Sequence, residues 1–221
     1  MSNTVVITGA NRGIGLSFAQ LYLARGYTVY AACRSASAEL SGSGAKVIEG
    51  VDVGTDAGVK KLDDALQGVS IDLLINNAGI LHNESLGQLN LDTIRAQFET
   101  NTLAPLRITD KLSDRLADNA KVALITSRMG SITDNTSGGR YGYRMSKAAL
   151  NAAGMSLACD LKPRGIAVAI LHPGLVGTEM IGGHGDITPD QAAERLVARI
   201  DELNLDNSGT FWHSNGQQLP W

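Results

Sequence analysis

Short apolar runs alternate with longer amphipathic segments along the whole chain. Most of the apolar runs are continuous rather than alternating, which is typical of parallel strands that are covered on both faces. This pattern predicts strands at residues 4–8, 28–33, 45–51, 71–76, 122–126, 166–171 and 210–213.

Amphipathic segments with recognisable ends fill the intervals between these strands. Thr55 and Thr188 are suited to cap a helix, and Pro189 stands at a first helical position. Pro105 falls inside the longest segment, where we expect it to kink or interrupt the helix. The pattern predicts helices at residues 15–25, 55–67, 91–118, 142–162 and 189–203, and a surface connection with at most a weak helix at residues 35–45.

The alternation of strands and helices predicts an α/β fold. Its expected form is a doubly wound, mostly parallel seven-stranded sheet with helices on both faces. A length of 221 residues suits one domain. Because the sequence has no internal repeat, low-complexity tract or linker, we predict that residues 1–221 form a single domain.

Composition and charge exclude several classes of function. A net charge of -3 at pH 7 and a pI of about 5.8 do not favour electrostatic binding to nucleic acid or to an anionic membrane. The longest apolar stretch, residues 166–171, is far shorter than a membrane span, and the first residues lack the basic segment of a signal peptide. Cys33 and Cys159 are far apart and have no metal-ligand spacing. We therefore expect a cytoplasmic protein without a metal site.

A glycine-rich turn joins the first predicted strand to the first predicted helix. Gly9, Gly13 and Gly15 allow the backbone to approach a pyrophosphate, and the helix N-terminus offers unpaired N–H groups. The spacing differs from G-x-G-x-x-G, and no Lys-Ser/Thr pair follows as it does in a P-loop. Taken alone, the turn is equally a tight strand–helix connection that binds nothing.

Polar residues at the ends of two further strands favour a nucleotide site. Asp52 and Val53 close the third strand, where a carboxylate can accept a hydrogen bond from an adenine amino group. Asn77, Ala78 and Gly79 follow the fourth strand, at the carboxyl edge where doubly wound sheets bind ligands. The alternatives are a solvated acidic residue and a turn-forming asparagine.

The end of the second strand indicates which nucleotide is bound. Sites for NAD usually have an acidic residue there, which binds the ribose hydroxyls. Here the strand ends in Ala32, Cys33 and Arg34, without a carboxylate. Arg34 and Arg12 can bind a 2′-phosphate through charge-assisted hydrogen bonds, unless both are simply solvated. We therefore predict NADP(H) rather than NAD(H).

Tyr143 and Lys147 stand four residues apart on a predicted helix and therefore share one face. A free phenol has a pKa of about 10 and is a sluggish proton donor near neutrality. A neighbouring ammonium stabilises the phenolate and is expected to lower the pKa of Tyr143. The spacing alone is common on ordinary helices, so it needs support from other residues.

Two further residues supply that support. Ser127 follows the fifth strand, where its hydroxyl can hydrogen-bond a substrate carbonyl or, as a turn serine, its own backbone. Asn101 lies in the middle of a predicted helix, where asparagine is a poor helix former. It is either a tolerated polar residue or an amide that holds the local helix geometry and a water molecule in contact with Lys147.

These motifs together resemble the short-chain dehydrogenase/reductase superfamily over essentially the whole chain. The resemblance implies a Rossmann fold, and it implies that Asn101, Ser127, Tyr143 and Lys147 form a catalytic tetrad. It also implies that Pro173, Gly174 and Thr178 lie on the nicotinamide side of the cofactor. The residues predicted to bind the cofactor are Gly9, Asn11, Arg12, Gly13, Ile14, Gly15, Arg34, Asp52, Val53, Asn77, Ala78, Gly79, Tyr143, Lys147, Pro173, Gly174, Val176 and Thr178.

Residues 140–147 and 216–221 are similar to a narrower group, which contains the Sniffer-type carbonyl reductases and the bacterial C-factor signalling proteins. The group implies NADPH-dependent reduction of an aldehyde, ketone or quinone-type carbonyl, with Tyr143 as the proton donor. It leaves open an NADP-binding signalling protein with little or no turnover. The expected partner is a small carbonyl compound, with no nucleic acid or membrane partner, and a homodimer and a homotetramer both stay open.

Two departures from the usual family pattern concern the substrate side. The interval between Ser127 and Tyr143 is wide, so residues 131–140 are expected to bulge. The interval between Thr178 and Pro189 is short and rich in glycine, so we expect a mobile loop, an open pocket and relaxed specificity. The residues expected to line the pocket are Met129, Tyr141 and those around His82 and Met180, which favours an apolar or aromatic carbonyl compound.

Overall fold

Seven strands and seven α-helices make up most of the chain. The strands are β1 (Thr4–Thr8), β2 (Thr28–Ala32), β3 (Lys46–Ile48), β4 (Ile71–Asn76), β5 (Leu116–Ile125), β6 (Ala167–His172) and β7 (Phe211–His213). The helices are α1 (Gly13–Ala24), α2 (Ala38–Ser41), α3 (Asp56–Ala65), α4 (Leu91–Phe98), α5 (Ala104–Lys111), α6 (Tyr141–Leu161) and α7 (Pro189–Glu202). These bounds come from a computed structural model, which describes residues 3–221.

The strands form one parallel sheet in the order β3-β2-β1-β4-β5-β6-β7, as the sequence pattern predicts. Strands β2 and β3 extend from one side of β1, and β4 begins the other side. The direction of winding therefore reverses between β1 and β4, and such a reversal opens a crevice at the carboxyl ends of the strands. The arrangement is a Rossmann-type fold.

Helices cover both faces of the sheet, and each face has its own apolar core. Val5 and Ile7 of β1 pack in one cluster with Phe18 of α1 and Leu196 of α7. Val6 points to the opposite face, where its cluster contains residues of α3, α5 and α6. Successive side chains of a strand alternate between faces. Because both faces are buried, the central strands carry apolar residues at consecutive positions rather than only at every second one.

The predicted helix at residues 91–118 is wrong in extent. Helix α4 ends at Phe98, a π-helical turn spans Glu99–Leu103, and α5 ends at Lys111. Pro105 lacks an N–H group and its ring crowds the preceding turn, so a regular α-helix is not favoured there. The wider π turn accommodates the proline, and such turns are frequent at functional sites.

Strand β5 begins at Leu116, not at residue 122 as predicted. Its pairing with β4 shifts register between Ile71 and Leu73, and Asn119 adopts a left-handed conformation with φ of 67°. Asparagine tolerates that conformation better than most residues do. The polar residues before Ala120 conceal the start of this strand from a pattern of apolar positions.

Strand β3 is shorter than the predicted strand at residues 45–51, because it ends at Ile48 and the chain turns at Gly50. The remaining predicted bounds lie within two residues of the observed ones, which is the usual uncertainty of an element end. The connection at residues 35–45 contains only the short α2. Within residues 3–221, the helices lack the combination of length and apolar character that a membrane span requires.

Helices α1 and α7 pack side by side and are joined by polar contacts at both ends. The Ser17 hydroxyl donates a hydrogen bond of 2.6 Å to Asp190, and Arg25 pairs with Asp201 at 2.9 Å. Thr188 caps α7 in a reciprocal arrangement: its hydroxyl accepts from the Gln191 N–H at 3.2 Å, and its own N–H donates to the Gln191 side chain at 3.0 Å. This capping box satisfies N–H groups that the helix leaves unpaired.

The Thr188 cap predicts a measurable contribution to stability. We expect Thr188→Ala to lower the free energy of unfolding by about 1 kcal/mol, because the Gln191 N–H loses its acceptor. Thr188→Ser keeps the hydroxyl and is the matched control. Urea unfolding of the three proteins measures the difference, and an alanine variant as stable as the unmodified protein would contradict the role of the cap.

Candidate active site

The loop between β1 and α1 passes unusually close to neighbouring backbone. A Cβ atom on Gly9 would lie 2.8 Å from the Cα atom of Ala78, and one on Gly15 would lie 2.2 Å from the Gly9 carbonyl oxygen. Gly9 also adopts a φ of 65°, which disfavours other residues. These positions must therefore be glycine, and the backbone of the loop stays uncovered at the N-terminus of α1.

Asn77 joins this loop to the end of β4. Its side-chain amide donates to the carbonyl oxygens of Thr8 and Gly9, both at 3.1 Å. In return, the Thr8 hydroxyl accepts from the N–H groups of Asn77 and Ala78 at 3.1 and 3.2 Å. The predicted residues of the β1 and β4 ends therefore form one bonded unit at the carboxyl edge of the sheet.

The two arginines predicted to bind a 2′-phosphate are both exposed. The guanidinium of Arg12 pairs with Glu179, a contact that the sequence did not predict. Among residues 3–221, Arg34 has no carboxylate within salt-bridge distance. Asp52 is exposed and accepts from the Gly54 N–H at 3.0 Å, so its carboxylate supports a turn at the end of β3 while facing solvent.

The segment from Pro173 to Thr178 closes the far side of the crevice. The Ser214 hydroxyl donates to the Pro173 carbonyl at 2.8 Å, and Val176 forms a parallel bridge with Ile187. Thr178 reaches the glycine-rich loop, because a Cβ atom on Gly13 would lie 3.4 Å from its methyl carbon. The structure therefore brings this predicted segment to the start of α1.

The short connection after Thr178 contains one 3₁₀ turn, Glu179–Ile181. Backbone hydrogen bonds tie it back to its own start: the Gly183 N–H donates to Thr178 at 2.9 Å, and the Asp186 N–H donates to Leu175 at 2.8 Å. The predicted mobility of this loop stays a prediction.

Asn101 lies in the π turn and is fully buried. Its amide pairs with both backbone groups of Ile80: the side-chain oxygen accepts from the Ile80 N–H at 2.8 Å, and the side-chain nitrogen donates to the Ile80 carbonyl at 2.9 Å. The same nitrogen donates to the Ser146 hydroxyl at 3.0 Å. These bonds hold the local chain geometry, and the expected contact with a water molecule beside Lys147 stays a prediction. The effect of the amide is to hold the chain after β4 against α6.

Lys147 is buried with its ammonium inside the site. Its side chain is 4% exposed, and Nζ donates to the Ile125 carbonyl at 2.9 Å. Burial without a carboxylate partner disfavours the charged form and lowers the pKa of Lys147 to about 8. Nζ lies 5.8 Å from the centre of the Tyr143 ring, so the two side chains share one face of α6 as predicted.

Burial also shifts the pKa of the Tyr143 phenol. It raises the pKa of Tyr143 above its ordinary value, and hydrogen bonding from Ser127 and the positive charge of Arg140 oppose the rise only in part. The expectation that Lys147 lowers this pKa is wrong for the protein alone, since desolvation outweighs the favourable contacts. Sequence reasoning also missed Arg140 as a nearby charge, although it stands only three residues before the tyrosine.

Ser127 follows β5 and is buried at the start of a 3₁₀ turn, Arg128–Gly130. Its oxygen accepts from the Met129 N–H at 3.1 Å, as a turn serine does. The hydroxyl also contributes to the environment of Tyr143. Residues 131–140 form an irregular loop, and the Arg140 guanidinium contacts the Met129 sulfur at 3.6 Å. The turn-serine alternative is therefore observed, and the hydrogen bond from Ser127 to a substrate carbonyl stays a prediction.

Among residues 3–221, the His, Cys, Asp and Glu side chains form no group of three that could hold a metal ion. The functional groups at the carboxyl edge of the sheet are an uncovered helix N-terminus, a buried ammonium, a phenol and a hydroxyl. Such a set can bind an anionic nucleotide and can move a proton at an oxygen atom.

The family model for the short chain dehydrogenases matches residues 3–188 of this chain. The chain therefore belongs to the short-chain dehydrogenase/reductase family, a family of oxidoreductases.

Two individual proteins are similar to this chain in sequence. The 1-hydroxy-2-glutathionyl-2-methyl-3-butene dehydrogenase of Rhodococcus sp. (strain AD45) is 43% identical over 225 aligned residues, which span 99% of this chain and 100% of that protein. The C-signal protein of Myxococcus xanthus is 42% identical over 154 residues, which span 68% of this chain and 93% of that protein.

Two solved structures share the fold over the whole chain. The NADPH-bound carbonyl reductase from chicken fatty liver has a TM-score of 0.90 at 29% identity and covers 100% of this chain and 99% of its own. The carbonyl reductase Sniffer of D. melanogaster has a TM-score of 0.90 at 28% identity and covers 100% of both chains. The predicted resemblance to this narrower group is confirmed.

The buried ammonium of Lys147 predicts a cost in stability that depends on pH. Its pKa of about 8 in the folded protein lies below the ordinary value of 10.5, so the unfolded chain binds the proton more tightly. The cost is full below about pH 8 and disappears as the pH rises towards 10.5. Relative to Lys147→Met, we expect the unmodified protein to become more stable over this range, by roughly 1.4 kcal/mol for each unit of pKa shift.

Urea unfolding of both proteins at several pH values measures this relative stability. The methionine variant is the control, because it keeps an unbranched side chain and has no titrating group. A stability difference that does not change with pH would contradict a buried ammonium with a lowered pKa.

Proposed function

We propose that the protein is an NADPH-dependent reductase that acts on the carbonyl group of an aldehyde, a ketone or a quinone-type compound. One observation carries the proposal: half-buried Tyr143 meets buried Lys147 and Ser127 at the carboxyl edge of the sheet, the same edge that carries the glycine-rich loop. The two structural neighbours are carbonyl reductases, which supports it. The alternatives weighed for single residues do not explain why all of them converge.

The glycine-rich loop fits a dinucleotide. A side chain at Gly9 or Gly15 would collide with backbone, so the loop presents bare N–H groups at the start of α1. In this proposal the segment from Gly9 through Asn11 and Ile14 to Gly15 holds the pyrophosphate. Asp52 and Val53 border the adenine. Gly79, Gly174 and Val176 belong to the nicotinamide side, together with the other residues predicted from the sequence.

Arg12 and Arg34 select the 2′-phosphate. Arg12 can exchange Glu179 for a phosphate at little cost, because both of these side chains are more than half exposed and such ion pairs contribute little to stability. Arg34 is free of any salt bridge among residues 3–221. The description of the chicken enzyme as NADPH bound supports the same nucleotide.

Tyr143 donates the proton in the proposed reaction. Bound NADPH supplies the hydride that reduces the carbonyl carbon. Tyr143 protonates the carbonyl oxygen, and the Ser127 hydroxyl stabilises the negative charge that develops there. Without the cofactor, burial raises the pKa of Tyr143, so the phenol is protonated at neutral pH but is a weaker acid than a free tyrosine.

In this proposal Lys147 replenishes the proton of Tyr143 through water and the cofactor's ribose, and solvent then restores the ammonium. Burial lowers the pKa of Lys147 to about 8, so its ammonium can release a proton near neutral pH. Asn101 holds the fourth predicted position of the tetrad, and its part in the proposal is to fix the chain after β4 against α6. The same groups serve the reverse reaction when an alcohol is oxidised, as the name of the Rhodococcus relative describes for that enzyme.

For the substrate we propose only a chemical class. Met129 and Tyr141 are half-buried beside Tyr143, whereas His82 and Met180 are exposed, and this lining favours an apolar or aromatic carbonyl compound.

We place the protein in the cytoplasm, where its two unpaired cysteines suit a reducing environment. Assembly as a homodimer or a homotetramer stays open.

A second candidate function is signalling by an NADP-binding protein with little turnover. The identity of 42% with the Myxococcus C-signal protein supports it. The same fold can host either function. The presence of all four tetrad residues favours the enzyme.

Changing Tyr143 to Phe separates the two functions. The change removes one oxygen and leaves the ring, so NADPH affinity should stay the same while kcat falls by about 10²- to 10⁴-fold. Tyr27→Phe, which removes a phenol oxygen just before β2 at the opposite edge of the sheet, is the matched control and should keep kcat. The measurements are NADPH titration and turnover on a panel of aldehydes, ketones and quinones.

The outcomes of this test differ clearly. A Tyr143→Phe variant that reduces substrates at the original rate would show that the proton donor is misassigned. If the unmodified protein reduces nothing in the panel and the variant keeps activity in a signalling assay, the second candidate replaces the first.

Changing Arg34 to Asp tests the nucleotide. The change removes a charge-assisted hydrogen bond and adds repulsion, so the Kd for NADPH should rise at least about tenfold while the Kd for NADH changes little. Arg34→Lys keeps the charge without the planar fork and should fall between the two. Equal affinity of the unmodified protein for NADPH and NADH, measured by fluorescence titration, would refute the proposed selection.

A further inference from the structure

Glu84 is a buried carboxylate outside the predicted site. It lies between β4 and α4 and is 4% exposed. Its oxygen atoms accept hydrogen bonds from the Thr93 hydroxyl at 2.8 Å, the Gln97 amide at 2.7 Å and the Gly142 N–H at 3.2 Å. Within residues 3–221, it forms no salt bridge with a lysine, arginine or histidine. A buried charge is costly unless hydrogen bonds compensate it, so these three donors must hold it closely.

Glu84 caps the helix that carries Tyr143. Arg140 precedes α6 in a left-handed conformation, and its side chain makes no cap. The Glu84 side chain accepts from Gly142, the second residue of α6, and its backbone carbonyl accepts from the Arg140 N–H at 2.7 Å. A helix leaves its first N–H groups unpaired, and a negative charge is favourable at that end. Another segment of the chain therefore supplies the cap that α6 lacks.

Gln97 presses the first turn of α6 against α4. It is fully buried, and its amide oxygen accepts from the His82 N–H at 2.9 Å while its amide nitrogen donates to Glu84. A Cβ atom on Gly142 would lie 2.4 Å from that nitrogen and 3.0 Å from the Cα atom of Ile94. Gly142 therefore has no room for a side chain or for a shift towards α4. Tyr143 follows it directly in the helix.

We propose that Glu84 is a positioning residue, which orients Tyr143 by fixing the first turn of α6. The inference rests on the proposed function of Tyr143 and names a residue that touches neither substrate nor cofactor. Glu84 holds the turn from two sides, through Gly142 and Arg140, so the phenol keeps its place beside Ser127. A displacement of about 1 Å in a reacting group can reduce a rate about 100-fold.

Glu84→Gln tests the proposal with almost no change in shape. The new amide nitrogen faces either the Gly142 N–H or the Gln97 amide nitrogen, so a donor meets a donor. We expect kcat to fall roughly 10- to 100-fold, with an unchanged Kd for NADPH. Thr93→Val, which removes one of the three donors and leaves the cap of α6, is the matched control and should keep kcat within a few-fold.

A reciprocal exchange tests the contact directly. In Glu84→Gln combined with Gln97→Glu, the amide of residue 84 donates to the carboxylate of residue 97, while its oxygen still accepts from Gly142. We expect the double variant to recover a substantial part of the lost kcat. Recovery would not follow if Glu84 only added to global stability, which urea unfolding of each variant reports separately. If Glu84→Gln does not fold, Glu84→Asp takes its place and should lower kcat by shortening the reach to Gly142.

A spectroscopic measurement keeps this proposal distinct from the proposed function. The pKa of Tyr143, followed by NMR of ring-labelled tyrosine with Tyr143→Phe for assignment, requires no turnover. We expect Glu84→Gln to raise this pKa further, because the phenol moves away from Ser127 and Arg140, and the double variant to restore it. A folded Glu84→Gln variant with unchanged kcat and unchanged Tyr143 titration would overturn the proposal. A protein without reductase activity in which the titration still moves would overturn only the proposed function.

Discussion

The amide of Asn101 bonds to both backbone groups of Ile80, and this pair fixes the middle of the connection between β4 and α4, residues 77–90. Before it, Asn77 holds the glycine-rich loop, and after it, Glu84 holds the start of α6. One stretch of chain thereby sets the distance between the glycine-rich loop and Tyr143. The two parts of the candidate site belong to different elements, and this connection bonds to both of them.

Desolvation shifts the pKa values of the two titrating side chains in this arrangement. The same burial disfavours the phenolate of Tyr143 and the ammonium of Lys147, so the two pKa values move in opposite directions. As a result, the order of proton affinities is reversed relative to the free side chains, since the phenol binds its proton more tightly than the amine does. An exposed pair at the same spacing would not show this reversal, because desolvation causes it. This property follows from the apolar ends of the strands around Ile125 as much as from the two residues themselves.

The sequence predicts those parts of the structure that depend on local spacing. Strands covered on both faces are mostly apolar, and glycines mark the tight turn after β1, so the sheet and the loop are found correctly. Pro105 predicts an interruption of the long helix, but not that the interruption is a π turn. The ion pair of Arg12 with Glu179 and the contact of Glu84 with Gly142 join residues far apart in the chain. No periodicity records such contacts, and the lowered pKa of Lys147 depends on burial that only the folded chain provides.

The packing of α1 against α7 bears on how the chain folds during synthesis. Phe18 of α1 belongs to the same buried cluster as Leu196, Val197 and Ile200 of α7, although nearly the whole chain separates them. A ribosome that has released β1, α1 and β2 has not yet made the helix that covers this face. The apolar side of α1 must therefore stay exposed, or be shielded by other factors, until the last helix emerges, and exposed surface of that kind promotes aggregation. Completion of this core is a late event that waits for the C-terminal part of the chain, even though half of its residues are made first.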